Sequence, residues 1–80
     1  MEQARQCLRN IEAALQAAGS TVADVVRVRY ILPDGDDFKP CWPLLRACFA
    51  EAKPAATMIQ AGLIDPRVKI EIEVTARRRA

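Results

Sequence analysis

The clearest pattern lies near the C-terminal end. Val68, Ile70, Ile72 and Val74 fall on one side of an extended chain, and Lys69, Glu71, Glu73 and Thr75 fall on the other. A period of two with β-branched apolar residues predicts a half-buried strand over 68–76. Residues 53–63 carry a weaker form of the pattern, because Ala and Gly replace larger side chains. Asp65-Pro66 lies between the two runs and interrupts either one, which predicts a β-hairpin with a longer loop.

The upstream half reads as cover for the apolar face of that hairpin. Cys7, Leu8, Ile11, Leu15 and Ala18 recur at steps of three and four, so 2–18 is predicted as an amphipathic helix that Gly19 stops. In the turn that follows, Thr21 and Asp24 can form a local cap. Val25 to Leu32 is the next strand, with Val26, Val28, Tyr30 and Leu32 on one face and Val25, Arg27, Arg29 and Ile31 on the other. Pro33 to Asp37 is a turn in which Asp36 or Asp37 can cap a second helix, predicted over 38–52 and regular from about Pro40. Trp42, Leu45 and Phe49 form its apolar stripe, and the periodicity makes Trp42 a core residue before a pocket residue. The order helix-strand-helix-strand-strand implies an α+β two-layer sandwich, with two helices on one face of a small mixed or antiparallel sheet. The other face then lacks a cover within this chain, which points to packing against further subunits.

Length and composition narrow the class. Eighty residues make one domain. So small a domain buries only about 60% of the surface its unfolded chain exposes, and oligomerisation is a common remedy. A net charge of +2 gives little reason to expect non-specific nucleic-acid binding, and Arg77, Arg78 and Arg79 read as a solvated tail. No apolar run approaches the ~20 residues that span a membrane, and no signal-peptide pattern opens the chain. The cysteines Cys7, Cys41 and Cys48 are odd in number and form no Cys-x-x-Cys pair, so a reduced, cytoplasmic protein with buried thiols is expected.

The chemistry available is limited. There is no histidine, which removes the commonest general base and metal ligand, and no glycine-rich phosphate loop. No metal site is expected. Arg27 and Arg29 share a strand face, as do Glu71 and Glu73. If the two strands are close, the four residues form either an ion-pair ladder or a polar floor for an anionic or carbonyl ligand.

Several short runs in order carry a resemblance. Arg5-Gln6-Cys7-Leu8-Arg9-Asn10-Ile11, Leu15-Gln16-Ala17-Ala18-Gly19, Asp24-Val25-Val26 and Asp37-Phe38 resemble the helix-turn-strand and second-helix start of the Rid family (RidA/YjgF). Pro54-Ala55-Ala56-Thr57, Leu63, Pro66 and Val68-Lys69-Ile70-Glu71-Ile72-Glu73 resemble its C-terminal part most specifically. The resemblance covers essentially the whole chain. It implies a chorismate-mutase-like α+β fold, a homotrimer with ligand clefts between neighbouring subunits, and no metal or organic cofactor. It also implies hydrolysis of enamines and imines such as 2-aminoacrylate to 2-keto acids and ammonia. In such enzymes an arginine grips the substrate carboxylate bidentately and a glutamate positions water.

Two departures alter these implications. The arginine position of the Pro-Ala-Arg-Thr type motif is Ala56 here, while the glutamate matches Glu71. A small ligand contact in the second helix falls on Trp42, and Met58 stands where some members have cysteine. The chain thus resembles Rid subgroups without the arginine. The second departure is length: strands that precede the first helix in the family have no counterpart here, so either the true start lies upstream of Met1 or the chain is an N-terminally short form of the domain. The candidate site residues are Glu71 for water positioning, and Trp42, Ala56, Thr57, Met58 and Arg29 for ligand binding. Three functions follow: binding of a small carbonyl or carboxylate metabolite without the usual chemistry; enamine/imine deamination with Arg27 or Arg29 in place of the lost arginine; and an RNA-linked role as translation inhibitor or ribonuclease.

Overall fold

A computed structural model describes residues 2–78; Met1, Arg79 and Ala80 lie outside the described residues, and with them part of the Arg77-Arg78-Arg79 run. The elements are α1 (Glu2–Ala17), β1 (Val25–Leu32), α2 (Phe38–Cys48), β2 (Ala55–Gln60) and β3 (Glu71–Ala76), with single 3-10 turns at Val22–Asp24 and Gly35–Asp37. This is the expected order, and the two helices pack on a mixed three-stranded sheet.

Helix α1 ends as Gly19 predicts. Gly19 takes φ +76°, its N–H donates to Gln16 O at 3.0 Å, and Ser20 N–H donates to Leu15 O at 2.8 Å. This pair of bonds closes the orphan carbonyls of the last turn in a Schellman arrangement. Asp24 Oδ2 then accepts from Ser20 Oγ at 2.8 Å and Thr21 N–H at 3.4 Å, the local cap expected there.

The hairpin is not formed. The strand order is β2-β1-β3, with β1 parallel to β2 and antiparallel to β3. The physical reason is burial. β1 offers Val25, Val28, Tyr30 and Leu32, each 2% exposed or less, whereas β2 offers mainly small side chains and is exposed throughout. The most apolar strand takes the centre and separates the other two. Segment 61–70 crosses between them and is folded locally by Asp65, which accepts from Arg67 N–H at 2.9 Å and from its guanidinium at 2.7 Å.

Strand β3 starts at Glu71, later than the alternation suggests. Its ladder ends where Ile31 meets Glu71, so residues 67–69 have no strand to pair with. The Gln3 side chain meets them instead, donating to Arg67 O at 2.8 Å and accepting from Lys69 N–H at 2.7 Å. Ile70 still reaches the core at 2% exposure.

Val26 is 50% exposed and Val25 is buried, the reverse of the simple alternation. A register shift between Val25 and Arg27 opposite β3 inserts one residue and flips the face at the strand's start. Capping before α2 also differs: Asp34 Oδ1 accepts from Asp36 N–H at 2.9 Å, and Asp37 holds the N-cap position without a side-chain bond. Helix α2 begins at Phe38, so Pro43 lies inside it, and it ends at Cys48 instead of 52. A further turn follows the helix and closes at Lys53, φ +48°, whose N–H donates to Phe49 O at 2.9 Å.

Candidate functional site

The sheet register decides where the candidate residues stand. Val28, Tyr30 and Leu32 point to the helices, so their partners Ala56, Met58 and Gln60 on β2 share that side. Arg27, Arg29 and Ile31 point to the open side, with Ala55, Thr57 and Ile59 beside them on β2. On β3, Ile72 and Val74 join the core, which leaves Glu71, Glu73 and Thr75 on the open side.

The six candidates therefore form two groups. Trp42, Ala56 and Met58 belong to the helix side; Thr57, Arg29 and Glu71 belong to the open side. On the open side Thr57, Arg29 and Glu73 make one row and Ile59, Ile31 and Glu71 the next. Arg29 Nη2 donates to Glu73 Oε2 at 3.1 Å, both side chains being 45% exposed. The ladder of two cations facing two carboxylates is thus half formed: Arg27 faces Thr75, and Glu71 faces Ile31. An exposed pair of this kind contributes at most about 1 kcal/mol.

Trp42 is not a core residue. It is 39% exposed, its ring centroid 5.5 Å from Phe38, which in turn packs against Tyr30 at 5.6 Å. Trp42 and Ala56 line one cavity of about 370 Å³ between α2 and the β1–β2 pair. Val28, Tyr30, Leu45 and Phe49 supply apolar wall, and Arg46 and Lys53 stand at its margin. Helical periodicity alone does not single out these two cations. Arg46 lies one turn beyond Trp42, and Lys53 precedes Pro54, a spacing that places both beside Ala56 only once β2 is known to run parallel to β1. Met58, 52% exposed, borders a neighbouring 250 Å³ depression with Phe38 and Gln60.

The thiols are free. Burial, and then the charge of Glu71, pushes the Cys7 thiol up; burial and then Glu12 do the same to Cys48. A thiol held protonated is a poor nucleophile.

Against this geometry the comparisons with known proteins are direct. The family profile described as Endoribonuclease L-PSP matches residues 1–78. The chain belongs to the Rid/YjgF family, the one that description covers. A RutC family protein of Pyrococcus horikoshii is 39% identical over 75 residues, which cover 94% of this chain and 60% of that protein. A 2-iminobutanoate/2-iminopropanoate deaminase of Salmonella typhimurium is 38% identical over 80 residues, covering 96% of this chain and 62% of that enzyme. The crystal structure of a YjgF/YER057c/UK114 family member from Mycobacterium tuberculosis superposes with a TM-score of 0.81 at 37% identity, over 86% of this chain and 59% of that one. The chain thus spans about 60% of the length of the curated relatives it matches. No helix among the described residues is long and apolar enough to cross a membrane.

Proposed function

We propose that the protein binds a small carbonyl or carboxylate metabolite in a cleft completed by neighbouring copies of the chain, as a homotrimer, without the imine deaminase chemistry of its relatives. The observation that carries this reading is Ala56. It stands on the helix side of β2 opposite Val28, where a methyl group offers no charge to a substrate carboxylate. Without that anchor, Glu71 lacks a positioned substrate on which to act as an acid-base group. Glu71 also lies on the opposite face of the sheet from Ala56 and Trp42, so one chain alone does not bring them to one ligand. A cleft between two copies, with one providing Trp42 and Ala56 and the next providing Glu71, accounts for the division.

Thr57 and Met58 follow Ala56 on alternate faces of β2 and would border such a cleft from either chain. Arg29 supports the alternative of a retained deaminase less well, because it is already paired with Glu73 on the far side from Ala56. The test measures ammonia and 2-keto acid release from freshly generated 2-aminoacrylate, beside light scattering on the same sample. The expected result is a species of three chains with no release above the uncatalysed rate, and release gained in Ala56→Arg. Turnover by the unaltered chain that Glu71→Gln abolishes would replace this reading with the deaminase.

A further inference from the structure

The cavity beneath Trp42 also carries information about what it holds. Its volume of about 370 Å³ falls at the lower end of the range for small-molecule sites. Its walls are largely aliphatic and aromatic, and the partly exposed Trp42 ring and Ala56 both line it. No acidic residue lines it. The two charges at its margin are both positive, and neither Arg46 nor Lys53 has an ion-pair partner among the described residues. Lys53 is also the non-glycine residue with positive φ among the described residues. A lysine in this left-handed conformation costs more than a glycine would. An unfavourable backbone held beside a cavity is the kind of feature that gathers at ligand sites.

We propose that this cavity takes an organic anion with a flat apolar body, an aryl-substituted carboxylate or 2-oxo acid. Its ring lies between Trp42 and Ala56, and its carboxylate meets Arg46 and Lys53. The inference rests on the reading of a carboxylate-binding cleft and adds the class of ligand. Ala56 then has a second meaning: the space an arginine side chain would fill becomes room for the ring. The anchoring charge moves from the floor of the site to its margin, where it acts through water-exposed, longer side chains.

The probes are 3-phenylpropanoate, 3-phenylpropan-1-ol, acetate and pyruvate, titrated by calorimetry and followed by the fluorescence of Trp42, the single tryptophan. 3-Phenylpropanoate is expected to bind about tenfold more tightly than the alcohol, which lacks the charge-assisted contacts. It is expected to exceed acetate by at least about tenfold, from burial of the ring. Arg46→Gln should weaken it about fivefold, and Lys53→Gly by a similar factor while the melting temperature holds or rises, since glycine suits φ +48°. Ala56→Leu should abolish the fluorescence change by filling the floor. Equal affinity for the acid and the alcohol, or unchanged affinity in both charge variants, overturns the proposal. Equal affinity for acetate, pyruvate and 3-phenylpropanoate overturns the aryl ligand and leaves the carboxylate-binding cleft standing. No binding by any carboxylate brings down both.

Discussion

Strands β1 and β2 lie side by side in the same sheet and live in different environments. On β1 the alternation of burial is nearly complete, with Val28 1% and Tyr30 2% exposed between arginines that face outward. On β2 every residue is exposed, Met58 at 52% and Ile59 at 36% among them. The two pair with each other through a six-residue parallel register. The difference is that the helices close over the inner face of β1, whereas β2 meets α2 only across an open cavity. β1 is held by what this chain packs on it. β2 is held by its ladder, and its side chains remain available for a ligand or another chain. The strand with the least structural obligation is the one that carries the Ala56 position.

The comparison can be broken most forcefully at the core that backs β1. Leu45 is 0% exposed, and Leu45→Ala should cost about 2–5 kcal/mol, enough to unfold much of so small a domain. Circular dichroism melting measures this, and a loss below about 1 kcal/mol would show that β1 is less firmly backed than its burial suggests.

A second test uses Tyr30, whose hydroxyl is pushed up from 10.0 to about 12, first by burial and then by the charge of Cys48. The folded protein holds this proton more tightly than the unfolded chain. The corresponding stability is whole below pH 10 and is lost as pH rises from 10 to about 12, roughly 2–3 kcal/mol in all. Denaturant midpoints across that window should fall more steeply in the parent chain than in Tyr30→Phe. Parallel slopes would remove the tyrosine from the account.

Smaller effects are expected on the outward face of β1. Arg29→Ala should cost no more than about 1 kcal/mol and the difference should shrink in 1 M salt, since the pair with Glu73 is half exposed. The smallest belongs to β2. In dilute monomeric protein Met58→Ala should change stability by less than about 0.5 kcal/mol. A loss approaching that of Leu45→Ala, growing with protein concentration, would show that β2 is covered by a second chain. That outcome would turn the contrast between the strands into a statement about assembly.

Much of the fold is legible in the sequence because periodicity reports what each element does with its own two faces. Leu8, Val28, Tyr30, Leu45, Phe49 and Ile70 are buried where their spacing puts them. Pairing is less legible. Val68 to Val74 alternates well whichever strand it meets, so the alternation cannot say that β1 separates it from β2. The bulge at Val26 is invisible for the same reason, since an inserted residue has meaning only against the opposing strand. The site inherits this limit. Trp42, Ala56 and Glu71 are visible as positions in a family pattern, but their division between two sides of the sheet is a property of the register. The contributions of Arg46 and Lys53 appear only when α2 and β2 are seen to share one cavity.

The central place of β1 has a consequence for the chain as it is being made. Both of its hydrogen-bonding partners are synthesised later, β2 by more than twenty residues and β3 by about forty. During that interval the nascent chain displays Val25-Val26-Arg27-Val28-Arg29-Tyr30-Ile31-Leu32 with neither edge protected, the composition of a segment that self-associates. Arg27 and Arg29 are the two interruptions in that run. In a parallel, in-register stack of nascent chains, each arginine would meet its own copy, and the like charges would repel. Arginines that contribute little to the finished sheet would then protect the strand most needed to build it.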